Sequence, residues 1–196
     1  LDDGKKVTQS GVILTMLAEQ HGKFGGKDAD EKREVLRWLF FDNHKFTSYF
    51  ATWRFMKSFA AKAPDPAVAA FLKSRIDSAF FVVEKHLAAR QYIVGDALTI
   101  ADMSLSGYLF FPADESGYVL EERFPNLAAW RDRLKKAPGW GDPYEVLPGE
   151  RIAPTSVVLQ YARVEAIPND EKLRLDVDLV GGSGELVVLS GGTARH

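Results

Sequence analysis

Leu98-Thr99-Ile100-Ala101-Asp102-Met103 runs on into Ser104-Leu105-Ser106-Gly107-Tyr108-Leu109-Phe110-Phe111-Pro112, and this stretch decides the fold class. Thr99 and Asp102 have the Thr-x-x-Asp spacing of a capping box, in which each side chain reaches the other residue's free backbone N–H. Leu98 and Met103 flank the box as a hydrophobic staple. Ile100, Ala101, Met103, Leu105, Tyr108, Leu109 and Phe110 leave little polar surface, so the spacing predicts a buried helix running to Phe111 and ended by Pro112. Further helices surround it. Pro125 at the first helical position opens an amphipathic helix, Leu127 to Lys136, that stops at Pro138-Gly139. Asp65-Pro66, an N-cap with Pro behind it, opens another that carries Val68, Leu72, Ile76, Ala79, Phe80, Val83 and Leu87 on one face. Asp28-Ala29-Asp30-Glu31 has the form of a capping box in which Glu31 reaches back, and no Gly or Pro follows before Lys62. One helix from Asp28 to Phe59, about 48 Å long at ~1.5 Å per residue, is predicted to bend across the domain.

The flanks of this helical region read differently. At the start, a short turn at Asp2-Asp3-Gly4 and a possible strand at Lys5–Val7 precede a helix whose apolar stripe is Val12, Ile13, Met16 and Leu17, with Ser10 as the expected N-cap. Gly22, Gly25 and Gly26 close that helix and supply a linker. From Arg151 to His196 the period changes from 3.6 to 2. Ser156–Val164 is β-rich, and Leu173, Leu175, Val177 and Leu179 alternate with Arg174, Asp176 and Asp178. Gly181-Gly182-Ser183-Gly184 leads into Glu185–Leu189, the pattern of a β-hairpin.

The 196 residues are 46% hydrophobic and 27% charged, with 25 Lys+Arg against 27 Asp+Glu and no cysteine. That composition describes a globular chain of one or two domains. It excludes disulfides, a Cys-ligated metal and a cysteine nucleophile within these residues. A net charge of −2 offers no footprint for nucleic acid or an anionic membrane. No run approaches the ~18 apolar residues of a membrane span, and Leu1-Asp2-Asp3 does not start a signal or transit peptide, so a cytoplasmic protein is the default. The absence of Met at position 1 raises the expectation of a fragment or a processed chain. Phosphate-binding glycine loops, the nucleophile elbow and the His-Glu-x-x-His motif are all missing from the sequence. His21, His44, His86 and His196 are scattered, so no metal site is expected.

Two local features could carry chemistry. Gln9-Ser10 stands at a helix start, where free amides, a hydroxyl and the positive end of the helix dipole suit a carboxylate. A plain N-cap is the commoner meaning of such a serine. The second feature is the segment from Trp38 to Phe59, with nine aromatics in 22 residues (Trp38, Phe40, Phe41, Phe46, Tyr49, Phe50, Trp53, Phe55 and Phe59). They surround the helix, so they cannot all face one core, and some should line a cleft or an interface. Asn43, His44, Lys45 and Arg54 lie among them, able to orient an anionic ligand or, equally, to form a solvated face.

Thr8-Gln9-Ser10-Gly11-Val12-Ile13-Leu14-Thr15-Met16-Leu17-Ala18-Glu19 resembles the Glu/Gln-Ser-x-x-Ile-x-x-Tyr-Leu-Ala segment of glutathione transferases. Leu98-Thr99-Ile100-Ala101-Asp102 resembles the capping box of their helical domain. Tyr92-Ile93-Val94-Gly95-Asp96 and Phe124-Pro125-Asn126-Leu127-Ala128-Ala129-Trp130 complete the order over about residues 1–150. The resemblance implies a mainly α fold with three parts: the end of a thioredoxin-like domain at 1–24, an all-helical domain at 25–150 and a β-rich tail at 151–196. It implies a homodimer that conjugates glutathione, as cosubstrate and without a further cofactor, to hydrophobic electrophiles. Gln9 and Ser10 match the pair holding the γ-glutamyl end of glutathione, and His44 and Lys45 match a His-Lys element beside the same site. Phe46, Tyr49, Phe50, Trp53 and Phe110 form the expected wall for the second substrate, while Thr99 and Asp102 are a structural cap. In the family, the residue activating the thiol and the cis-proline precede the position of Leu1. The chain is therefore expected to hold part of the glutathione site and to show weak or no transferase activity. A non-catalytic interaction or dimerisation module is the competing expectation. The tail, at Ala162–Glu165, Pro168–Leu173 and Val177-Asp178, weakly resembles the opening of an oligonucleotide-fold tRNA-binding domain. With five Lys/Arg against six Asp/Glu from Arg151 onward its charge is wrong for phosphate binding, so nucleic acid is not expected. A hairpin appendage, a truncated domain or an altered reading frame fits the tail as well.

Overall fold

The computed structural model describes residues 1, 4–147, 149–154, 162–166, 172–179 and 182–189. The chain forms two compact units, Leu1–Pro154 and Thr155–His196.

The first unit is helical. Helix α1 spans Ser10–His21 and ends on Gly22, whose left-handed backbone (φ 61°) lets the N–H groups of Gly22 and Lys23 reach back to the carbonyls of Glu19 and Ala18. Helix α2, Ala29–Phe41, begins under Asp28, which accepts from the amides of Asp30 and Glu31 at 2.9 Å. Glu31 reaches one residue further back than the predicted box, to the amide and ammonium of Lys27. The predicted long helix runs on through a π-helical turn, Asp42–Phe46, into α3, Thr47–Ser58, and the wider turn absorbs the bend. Helix α4, Pro66–Leu87, starts under Asp65 as predicted. Its buried stripe begins at Leu72 rather than Val68, because Val68 lies on the outward side of the first turn, where it is 41% exposed.

Helix α5, Ile100–Ser106, tightens into a 3₁₀ turn, Gly107–Phe110, before Pro112. It is the centre of the unit, with α1 and α2 packed along it. Short helices α6 (Ala113–Ser116) and α7 (Leu120–Arg123) lead to α8, Pro125–Leu134, and then to α9, Pro143–Val146. The core, formed by Trp38, Phe46, Ile76, Phe80, Leu105 and Trp130, lies where α2 through α5 and α8 meet. Two buried carboxylates fasten it. Asp102 accepts on Oδ2 from the amide (2.9 Å) and hydroxyl (3.0 Å) of Thr99, and on Oδ1 from the amide of Ile93 (2.8 Å) and the indole of Trp130 (2.9 Å). Glu84 of α4 accepts from the amides of Asn126 and Leu127 and from the Asn126 side chain, capping α8 from outside its own sequence. Gly95 keeps its bend because a Cβ there would come within 2.6 Å of the Glu31 carboxylate, at a left-handed φ of 62°.

The predicted strand at Lys5–Val7 is not a strand, and these residues have no regular secondary structure. No helix among the described residues is long and apolar enough to cross a membrane.

The second unit is a three-stranded antiparallel sheet in the order β1 (Ala162–Ala166), β2 (Lys172–Leu179), β3 (Gly182–Leu189). Its register pairs Leu173 with Val188 and Leu175 with both Leu186 and Val164, so the alternation in the sequence runs in phase across all three strands. The expected hairpin is β2 and β3, with β3 starting earlier than predicted, inside the glycine run. Residues 156–161 of the predicted first strand lie outside the described residues.

Replacing Asp102 by alanine orphans the Ile93 amide and the Trp130 indole inside the core. It is expected to cost at least about 3 kcal/mol, read as a shift in the urea midpoint, while Thr99→Ala costs about 1 kcal/mol.

Candidate functional site

The start of α1 leaves its first backbone donors open. Gln9 holds the N-cap position at φ 70°, ψ 117° with no side-chain bond onto the helix. A left-handed backbone is uncommon for a non-glycine residue and gathers at functional sites. The first helical bond is the Ile13 amide to the Gln9 carbonyl, 3.0 Å, so the amides of Ser10, Gly11 and Val12 have no carbonyl within the helix to bind. Ser10 is exposed and stands at the first helical position, not at the cap that the sequence predicted. With the start shifted by one residue, no side chain caps the open amides.

This end of α1 lies beside α2, since a Cβ on Gly11 would meet the Cβ of Leu39 at 4.0 Å. About one helical turn beyond Leu39 is the π turn. His44 and Lys45 are exposed there, and the His44 carbonyl accepts from the Ser48 hydroxyl at 3.1 Å. The insertion that makes a π turn rotates the residues after it relative to those before it, a device frequent at functional sites. Asp42 secures the turn. Its buried carboxylate accepts from the hydroxyls of Thr47, in the same helix, and of Ser104, on α5 at 2.5 Å. Burial pushes its carboxyl above the usual range, against the pull of the two hydroxyls. Asp42 was missed at the level of sequence, although a lone carboxylate between Phe41 and a run of aromatics was a usable signal.

The aromatics divide otherwise than expected. Phe46, Phe50 and Trp53 are core residues. Phe46 and Phe50 pack on Phe80 at 4.8 and 5.1 Å, and the Trp53 indole donates to the Ser116 carbonyl at 2.6 Å. Their side of α3 faces α4, so they back a wall rather than line one. Tyr49 and Phe110 are half-buried, and their rings lead to separate partners, Phe71 and Trp140. Arg54 is no solvated charge: its guanidinium lies 3.8 Å from the centre of the Phe111 ring and pairs with the buried Glu115. Tyr108 and Phe111, expected only as part of a buried helix, and Trp140 and Tyr144 complete this second aromatic group. Thr99 and Asp102 are together in their cap, away from α1's start.

A groove of about 790 Å³ lies on the opposite end of α1, floored by Ala18, Phe24, Val35, Leu36 and Leu98. Gln9, Ser10, His44 and Lys45 are not among its lining residues.

Residues 44–138 match the family model "Glutathione S-transferase, C-terminal domain". A glutathione S-transferase structure from Xanthobacter autotrophicus is 33% identical, with a TM-score of 0.68 over 75% of this chain and 72% of that one. The chain belongs to the glutathione S-transferase family. A glutathione S-transferase-like protein of a Fusarium species is 31% identical over 137 residues, 65% of this chain, and the match spans 60% of that relative's length. Ure2p5 from Phanerochaete chrysosporium, cocrystallised with 1-(S-glutathionyl)-2,4-dinitrobenzene, is 27% identical with a TM-score of 0.62, over 70% of this chain and 66% of that one. In this member of the glutathione S-transferase family the helical region therefore carries the matched fold, whose matched residues begin inside the π turn, two positions after Asp42.

Asp42 gives a pH test. Its pKa is higher folded than unfolded, so between those two values the folded chain holds a proton that the unfolded chain has released, and stability from this group is lost as pH rises through that interval. Asp42→Asn, which keeps partners for both hydroxyls, is expected to abolish that fall. Urea midpoints of both proteins from about pH 4 to 7 should diverge in favour of the variant as pH rises.

Proposed function

We propose that this chain supplies the helical part of a cytoplasmic glutathione transferase that joins glutathione to hydrophobic electrophiles. On this proposal residues 1–24 are the last piece of a thioredoxin-like domain and 25–150 the helical domain. The observation that carries it is the start of α1: a strained Gln9, the Ser10 hydroxyl and open amides, packed near Leu39 of α2, the helix that runs into the turn bearing His44 and Lys45. Glutathione bears two carboxylates, and one of them suits the helix start, where backbone donors and the dipole favour negative charge. Lys45 adds a flexible cation for the other. The conjugate bound by the Phanerochaete relative supports an S-aryl product as the kind of molecule such a site takes.

Of the expected second-substrate wall, Tyr49 and Phe110 keep surface to offer. Phe46, Phe50 and Trp53 contribute by holding α3 rigid behind them. No residue of the chain is assigned to activate the glutathione thiol.

Leu36 and Phe40 on α2 and Phe71 and Phe81 on α4 are each about half or more exposed and favour pairing with a second copy of the chain, since apolar surface gathered on neighbouring helices marks an interface. The same surfaces favour the alternative, a non-catalytic module that uses the transferase fold for assembly.

Titration calorimetry with reduced glutathione separates the two. Binding by the chain is expected, weakened about tenfold in Ser10→Ala and in Lys45→Ala, the loss typical of one charge-assisted hydrogen bond. A chain that releases no heat and is not retained on immobilised glutathione, with Ser10→Ala behaving identically, leaves the assembly module standing instead.

A further inference from the structure

Trp140, Tyr144 and Arg151, all within the helical unit and after α8, are fastened back onto it by contacts that glutathione binding does not require. Glu115 on α6 is fully buried, with a side-chain exposure of 0%, yet it receives donors from three separate segments. Its Oε2 accepts from Arg54 Nε of α3 at 2.7 Å. Its Oε1 accepts from the Tyr144 hydroxyl of α9 at 2.7 Å and from Arg151 Nη2 at 2.7 Å and Nε at 3.0 Å. Arg54 Nη2 also donates to the Tyr144 hydroxyl at 2.9 Å. Trp140 packs edge-on against Phe110 and Tyr144 against Phe111, each pair 5.4 Å between ring centres. Residues 140–147 thus lie across the two rings, held at one end by Trp140 and at the other by Tyr144 and Arg151.

One feature of this arrangement opposes it. The indole N–H of Trp140 is shut off from solvent and meets no acceptor among the described residues, so the closed position carries the cost of a hydrogen bond that water would otherwise supply.

We infer that residues 140–147 are a gate, held shut over Phe110 and Phe111 by the latch of Tyr144 and Arg151 on Glu115, and biased toward opening by the unpaired indole of Trp140. Tyr144 and Arg151 reach the same carboxylate oxygen and touch each other, the Arg151 guanidinium lying 5.0 Å from the centre of the Tyr144 ring, so the loss of either removes packing from the other. Arg54 stays on the second oxygen when the strap lifts, and opening therefore does not strand a bare charge in the interior, the penalty that would otherwise weld such a latch shut. Opening uncovers two adjacent aromatic faces and gives the Trp140 N–H a partner. The gate stands whether or not the chain binds glutathione.

Hydrogen exchange by mass spectrometry on the full chain, paired with acrylamide quenching, tests it. Trp38, Trp53 and Trp130 are buried at 2%, 5% and 0% exposure, so quenchable fluorescence reports Trp140. Tyr144→Phe and Arg151→Ala are each expected to speed exchange of the 140–147 amides about tenfold and to raise quenching, with Arg151→Lys in between because it keeps the charge and loses the fork. Trp140→Phe removes the unpaired donor and is expected to slow the same amides. If Arg151→Ala speeds exchange through α4 and α5 as well, Tyr144→Phe, which deletes a single hydroxyl, decides. Exchange within about twofold of wild type in Tyr144→Phe overturns the latch. Faster exchange in Trp140→Phe makes Trp140 a fixed anchor and overturns the gate.

Discussion

The carboxylate of Asp102 is the constraint on which the helical unit depends. It is wholly buried, and burial pushes its carboxyl upward, opposed first by the Ile93 and Thr99 amides and then by the Trp130 indole and the Thr99 hydroxyl. A charge in such a place survives only if donors replace the water it has lost. Here the donors come from the loop before α5, from the start of α5 and from α8. Joining them in one network sets the position of α5, and α1 and α2 are then placed by packing against it.

The same economy recurs across the unit. Asp42 ties the π turn to α5, Glu84 caps α8 from α4, and Glu115 collects α3, α9 and Arg151. Each buried acid binds elements far apart in sequence, and each is met by hydroxyls, amides or guanidinium groups. Apolar packing alone tolerates sliding, whereas a buried carboxylate with all its donors in place tolerates only one arrangement. This is how the helices of the unit are held in a single geometry. The positive φ at Gln9 and the π turn at residues 42–46 are its two departures from regular helix on either side of the Gly11–Leu39 approach.

Helix boundaries were legible wherever a local rule sets them: Asp28, Asp65-Pro66, Thr99 with Asp102, Pro125 and Gly22 all act where the sequence placed them, because capping involves residues within one turn of each other. Ser10 was misplaced by one residue because its neighbour adopts a left-handed backbone that no local preference announces. The aromatic segment was the harder case. Its rings surround α2 and α3 as predicted, but which of them are core depends on α4, whose Phe80 gathers Phe46 and Phe50. Arg54 had an ordinary surface reading until Glu115, distant in the chain, was brought against it.

The sequence by itself determined the helical class of residues 27–150, most helix starts, the Thr99–Asp102 cap, the in-phase alternation of the tail and the family to which the chain belongs. The family rests on the resemblance of its motifs, and the rest on interactions between near neighbours or on period, all of which are written in order along the chain. Only the tertiary structure decided that Asp42 anchors a π turn, that Phe46, Phe50 and Trp53 belong to the core, and that Glu115 fastens Tyr144 and Arg151. Those outcomes depend on burial and on partners far away in sequence, and a carboxylate or a ring carries no local mark of what will be folded against it.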